Sequence, residues 1–188
     1  MHEVQLERPL RPDLERDARS LSREAFVAAH PQAALLLVAV SPESLKAGGM
    51  VQTPALPATS RELSIRRTLD ATPEGAARKL DGRVLLLSKR PGNPFPDMVF
   101  VGRALNNDLV LLLETLSKVH GYFRLARDRG RWTFTDNASK NGSTVNDAPL
   151  VERVEVVLED GDRIRLGLEI EATFLHPETL YARLRGAP

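Results

Sequence analysis

Hydrophobic positions follow a helical period near the start of the chain and a period of two near its end. Leu14, Ala18, Leu21, Ala25 and Ala28 are spaced by four and three residues, with Glu15, Arg16, Arg19 and Arg23 between them. That spacing predicts an amphipathic helix over about 13–29, opened by Pro12 and stopped before Pro31. A continuous apolar run at 33–40, bounded by Pro31 and Pro42, predicts a short buried strand. Proline, glycine, serine and threonine dominate from 41 to about 60, and a loop-rich linker over 41–79 is expected, with a weak edge strand at 62–68. The extension 1–79 has too few apolar positions to fold alone, so it should dock on the remainder of the chain.

From Arg83 the elements become short and regular. Strands are predicted at 84–88, 98–102, 109–113, 122–126 and 131–135, with turns at 91–94 and 127–130. Val154, Val156 and Leu158 alternate into the turn Glu159-Asp160-Gly161-Asp162. Ile164, Leu166, Leu168, Ile170, Ala172 and Phe174 then keep period two, with a possible break at Gly167. Residues 177–184 predict a terminal helix with Leu180, Tyr181 and Leu184 facing inward. The expected fold is an all-β sandwich of antiparallel strands over 80–188, with an N-terminal helical extension and a short C-terminal helix.

Composition removes several functional classes. Lysine plus arginine total 26 against 25 acidic residues, so the broad basic field of a non-specific nucleic-acid binder is absent and anion recognition has to be local. With no cysteine, disulfides, thiolate nucleophiles and sulfur-ligated metals drop out, consistent with a reducing compartment. The four histidines are scattered without ligand spacing, so no metal or other cofactor is expected. The N-terminus lacks the pattern of a signal peptide, and the longest apolar run is too short to span a bilayer. A cytoplasmic protein without membrane or nucleic-acid partners is the expectation.

Hydrogen-bond donors collect where the strands should end: Arg103, Ser117, Lys118, Lys140 and Asn141. A guanidinium can give two parallel bonds to a phosphate, a hydroxyl one, and an amide both donates and accepts. This donor-rich set suits holding a phosphate better than cutting a bond. Each residue also has a plainer reading. Arg103 could pair with Asp108 on the surface, Ser117 and Asn141 could only make turns, and the lysines could only be solvated. Ser117 and His120 raise the idea of a nucleophile and its base, but no acidic third member, nucleophile elbow or following helix is evident. His120 reads better as a buried imidazole pinning the loop that presents Ser117. Asn106, Asn107 and Asp108 read as turn formers, and Trp132 and Phe134 as core.

Taken together, Gly102-Arg103, Asn106-Asn107-Asp108, Ser117-x-x-His120, Asp136, Ser139-x-Asn141-Gly142-Ser143, Val145-Asn146 and Leu158-x-Asp160-Gly161-Asp162-x-Ile164-x-Leu166-Gly167 resemble the forkhead-associated (FHA) domain, in family order, over roughly residues 80–176. The resemblance implies a β-sandwich that binds phosphothreonine peptides without catalysis. It implies Arg103 and Ser117 as phosphate ligands, Asn141 as the residue holding the peptide backbone, Lys118 and Lys140 beside them, and Gly102, His120 and Gly142 as structural support. Serine at 143 and aspartate at 147 depart from the threonine and glycine common in the family. The implied partner is a phosphothreonine protein, a Ser/Thr kinase or its substrate, with the chain acting as an adaptor in kinase signalling. The alternative is a phosphorylation-independent adaptor whose N-terminal helix and 33–40 run form the interface.

Overall fold

The computed structural model describes residues 12–39, 82–126 and 130–186. The linker 41–79 with its edge strand at 62–68, and most of the turn expected at 127–130, lie outside the described residues. Near the N-terminus are helices α1 (Pro12–Ser20) and α2 (Arg23–Ala29) and strand β1 (Ala34–Ala39). The remaining strands are β2 (Val84–Leu86), β3 (Met98–Gly102), β4 (Leu109–Val110), β5 (Gly121–Ala126) and β6 (Arg131–Asp136). They continue with β7 (Ser143–Val145), β8 (Ala148–Pro149), β9 (Glu155–Leu158), β10 (Arg163–Leu166) and β11 (Ile170–Leu175), and helix α3 (Pro177–Leu184) closes the series.

Two sheets face each other, one ordered β2-β1-β11-β10-β7-β8 and the other β4-β3-β5-β6-β9. Alternation explains what lies between them. Val99 and Val101 of β3, Phe123 of β5 and Phe134 of β6 point inward from one sheet; Leu35 and Leu37 of β1, Ile164 and Leu166 of β10, and Ile170, Ala172 and Phe174 of β11 point inward from the other. Fully burying a Leu, Ile or Phe contributes about 1.5–3 kcal/mol, so these positions fix which face of each strand is internal. Trp132 is partly buried against the same core.

The expected single helix over 13–29 is two helices. Ser22 is extended (φ −67°, ψ 163°), and its hydroxyl accepts the N–H of Ala25 at 3.2 Å, so it N-caps α2. The break re-aims the second helix: Phe26 is buried with Leu14 and Ala18, whereas Ala25 and Ala28 are exposed. These side chains pack with Leu180 of α3 and with Ala34, Leu86 and Leu175 from the sheet. The strand in the 33–40 run pairs with β11 and β2 on its two sides. Most of the apolar surface that the alternative would use as an adaptor interface is therefore packed within the chain, with Val38 the large side chain left exposed.

Three further differences have simple causes. The even period from 164 to 174 belongs to a hairpin, not to one strand: Leu166 pairs with Ile170 across a turn at 167–169, where Gly167 has φ +62°. An odd number of turn residues preserves the parity of the pattern. The strand expected over 109–113 is laddered only at Leu109–Val110 and runs parallel to β3, the exception to the antiparallel pairing. Leu111 and Leu113 are nonetheless buried. Strands β7 and β8 form where only loop was expected, with Thr144 opposite Pro149 and Val145 opposite Ala148. Among the described residues, no helix is long and apolar enough to cross a membrane.

Candidate functional site

Gly102, the last residue of β3, is approached so closely by the chain beside it that no side chain would fit. A Cβ on Gly102 would sit 2.5 Å from the Lys118 carbonyl oxygen and 2.9 Å from both the Ser117 carbonyl oxygen and the His120 nitrogen. That approach lets the segments after β3 and before β5 bond directly. The N–H of Arg103 donates to the Ser117 carbonyl at 3.1 Å, that of Ala104 to the Lys118 carbonyl at 3.1 Å, and that of His120 to the Val101 carbonyl at 2.8 Å. Gly102→Ala should accordingly cost about 1–3 kcal/mol and force residues 102–104 away from 117–118. A urea melt and loss of Arg103 amide protection from hydrogen exchange would check it.

Asn107 clamps the same junction. It is 2% exposed, and its amide donates to the Ala104 carbonyl at 2.8 Å and the Lys118 carbonyl at 2.6 Å. Asp108 is also buried. Its carboxylate accepts the N–H groups of Arg90 and Phe100, each at 2.8 Å, and the side-chain amide of Asn93. These two residues are buried anchors of the loop rather than simple turn formers.

Ser117 is held at three atoms. Its carbonyl accepts from Arg103 at 3.1 Å, its N–H donates to Nδ1 of His120 at 3.3 Å, and its hydroxyl oxygen accepts the N–H of Lys140 at 3.0 Å. That last bond draws the loop 137–142 against the other two and leaves the Ser117 hydroxyl proton available to donate. Next along that loop, the Asn141 amide donates to the Thr115 carbonyl at 2.8 Å. Positions 103, 117, 118, 140 and 141 are thereby brought together by backbone bonds between 103–104 and 117–118 and by side-chain bonds of Ser117 and Asn141. Gly142 comes next with φ +68°, a conformation glycine adopts without a Cβ penalty.

Behind this surface lies a sealed polar network. His120 is fully buried, Asp136 is 1% exposed and Ser143 4%. Nε2 of His120 lies 3.2 Å from the Ser143 hydroxyl, and that hydroxyl donates to Asp136. Asp136 also accepts the N–H and the hydroxyl of Ser139, each at 2.7 Å. With Nδ1 accepting from Ser117 and Nε2 donating towards Ser143, the imidazole is neutral. Burial pushes its pKa below the usual 6.5, while the Asp136 charge and the Gly142 carbonyl oppose the shift. An acid does approach His120, since Asp136 lies 3.8 Å from Nε2, which corrects the expectation that there is none. Nδ1 of His120 is taken by the Ser117 N–H and not by its hydroxyl, so in this arrangement the network ties the loops together and the imidazole is not bonded as a base to Ser117 Oγ.

The FHA domain family model matches residues 99–167. A solved structure described as "Structural and functional analysis of phosphothreonine-dependent FHA domain interactions" is 30% identical; the alignment covers 50% of this chain and 84% of that one, at a TM-score of 0.41. Residues 99–167 are an FHA domain. An FHA domain structure of an Arabidopsis thaliana hypothetical protein is 27% identical, covering 51% of this chain and 75% of that one at a TM-score of 0.43. The E3 ubiquitin-protein ligase rnf8 of Danio rerio is 35% identical over 77 residues, 39% of this chain. The chain spans only 16% of that relative's length.

Within the FHA fold the departures have local explanations. Asp147 has φ +67°, a conformation that favours glycine. Its carboxylate pairs with Arg163 at 2.6 Å, a contact glycine could not make. Ser143 supplies the hydroxyl that a threonine would supply. Asn107, Thr115 and Glu169 were not singled out as site residues from the sequence. Asn107 is marked only by its place between the two loops, and the Thr115–Glu169 contact spans 54 residues, so no local pattern announces it.

Proposed function

We propose that the chain is a phosphothreonine-peptide binding module that recognises its ligand without chemistry. In this reading Arg103 and Ser117 hold the phosphate, Lys118 and Lys140 raise the local positive potential, and Asn141 holds the peptide backbone beside it. Gly102, His120 and Gly142 support the loops. The observation that carries the reading is the three-way anchoring of Ser117, which sets its hydroxyl among the Arg103, Lys140 and Asn141 segments. Hydrogen bonds to charged groups contribute about 1.5–3 kcal/mol each, so two or three supply much of the roughly 8 kcal/mol of a micromolar complex. Because the loops are already bonded to one another, little ordering cost remains at binding.

The partner in this proposal is a phosphothreonine protein, a Ser/Thr kinase or a kinase substrate, and the chain serves as an adaptor in cytoplasmic kinase signalling. The FHA domain at 99–167 and the donor-rich loops support the reading. An oriented library of phosphothreonine peptides, assayed by fluorescence anisotropy beside its unphosphorylated counterpart, tests it. Micromolar binding confined to the phosphorylated set, weakened by Ser117→Ala by about 10- to 150-fold, is the expected result. Equal binding of both sets would overturn it.

A further inference from the structure

The hairpin turn at 167–169 holds none of the residues assigned to ligand contact, yet it is bonded to two of the loops that carry them. The N–H of Gly167 donates to the Gly142 carbonyl at 3.1 Å. A Cβ on Gly167 would lie 3.0 Å from the Thr115 carbonyl oxygen and 3.2 Å from a Leu116 methyl carbon, so the turn is packed directly on the segment leading to Ser117. Glu169 completes the contact, its Oε2 accepting the Thr115 hydroxyl at 2.8 Å. On its other side the Thr115 carbonyl receives the Asn141 amide at 2.8 Å. Leu116, the next residue, is buried in the main core, which limits how far Thr115 can move independently.

We propose that Glu169 is a positioning residue of the phosphopeptide site, anchoring Thr115 and through it the Asn141 amide and the approach to Ser117. The assignment rests on the phosphopeptide reading for its ligand, but the anchor itself exists without ligand. A carboxylate suits the role because it accepts from the Thr115 hydroxyl, and charge-assisted bonds are stronger than neutral ones. Its cost is visible: burial pushes the Glu169 pKa above the ordinary range, Thr115 pulls it back, and the Glu114 charge adds to the rise. A carboxylate held at this cost orients a neighbour that in turn bonds a loop 26 residues away in the chain. Glu169 acts through Thr115 and does not touch the ligand.

The test pairs two measurements on the whole chain. The side-chain amide resonances of Asn141 are followed in ligand-free protein, and a phosphothreonine peptide selected from the library is titrated by anisotropy. Glu169→Ala is expected to shift the Asn141 amide pair and weaken the peptide by about 3- to 10-fold, the range of one net hydrogen bond. Glu169→Gln, which keeps an acceptor oxygen, should restore most of both. Thr115→Val should reproduce the alanine variant and Thr115→Ser should not. Combining Glu169→Ala with Thr115→Val should weaken binding no further than either alone, since both remove one contact.

Unmoved Asn141 signals in Glu169→Ala and Thr115→Val would overturn the anchor whatever the peptide does. Moved signals with unchanged peptide affinity would overturn the positioning role. Wild-type protein that ignores every phosphothreonine peptide while the Asn141 signals still respond would instead overturn the phosphopeptide reading. If Glu169→Ala does not fold, the Thr115 variants carry the same comparison.

Discussion

Arg103→Ala is expected to weaken capture of a phosphothreonine peptide by tens- to hundreds-fold, a loss of about 2–4 kcal/mol. The magnitude comes from the chemistry of the pair. A phosphothreonine carries close to two negative charges at neutral pH, and a guanidinium meets it with parallel N–H donors that no other side chain supplies. Removing that fork leaves much of the phosphate charge unmatched against the loops. The fold should lose less than the site, because the bonds from the Arg103 N–H to the Ser117 carbonyl and from Ala104 to Lys118 survive the truncation. Arg103→Lys separates charge from geometry: it keeps the cation, loses the two-pronged contact and should fall between wild type and alanine. Titration by anisotropy with a parallel thermal melt checks both halves. Full affinity in Arg103→Ala would remove this residue from the site.

His120→Ala should do the reverse, lowering stability first and affinity only as a consequence. The buried imidazole bridges Ser117 and Ser143, so truncation leaves a cavity and strips partners from both. Each unsatisfied buried polar group costs about 1–3 kcal/mol, and the total loss should be on the order of 3 kcal/mol. A pH signature distinguishes this from generic damage. Because burial holds the folded imidazole below its usual 6.5, the unfolded chain takes up a proton that the folded chain refuses as pH drops below 6.5. The stabilisation is therefore complete above about pH 6.5 and declines as pH falls towards the folded value, by at most about 1.4 kcal/mol per pH unit. Urea midpoints at pH 7.5 and 5.5 should fall further apart in wild type than in His120→Ala. Equal differences in the two proteins would contradict a buried neutral imidazole.

The strands that build the sandwich were legible because each buries one face against a single core. The alternation at Val99 and Val101 and the run from Ile164 to Phe174 needed no knowledge of partners. What escaped depended on partners. Ser22 ends one helix and caps the next, and only the position of α3 and the sheet decides that Phe26 should be buried in place of Ala25 and Ala28. Strand β4 pairs parallel to β3, and β7 and β8 are short enough that neighbours, not sequence period, define them. The candidate ligand positions could be named from the order of motifs, since each lies beside a glycine, a turn or a strand end. Their support was less visible. Asn107, Thr115 and Glu169 act by bonds to loops 11, 26 and 54 residues distant, a kind of contact that leaves no period in the chain. Asp136 stands between these cases, because its bonds to Ser139 three residues on are of the local turn-forming kind.

Everything turns on whether Arg103, Ser117, Lys118, Lys140 and Asn141 act as one phosphate-dependent surface. The most direct measurement is a map of backbone and side-chain amide shifts during titration with one phosphothreonine peptide, repeated after phosphatase treatment of the same peptide. The account predicts large shifts confined to segments 102–104, 115–120 and 138–143, saturating together and vanishing with the dephosphorylated peptide. Shifts centred on other segments, or persisting after the phosphate is removed, would contradict it.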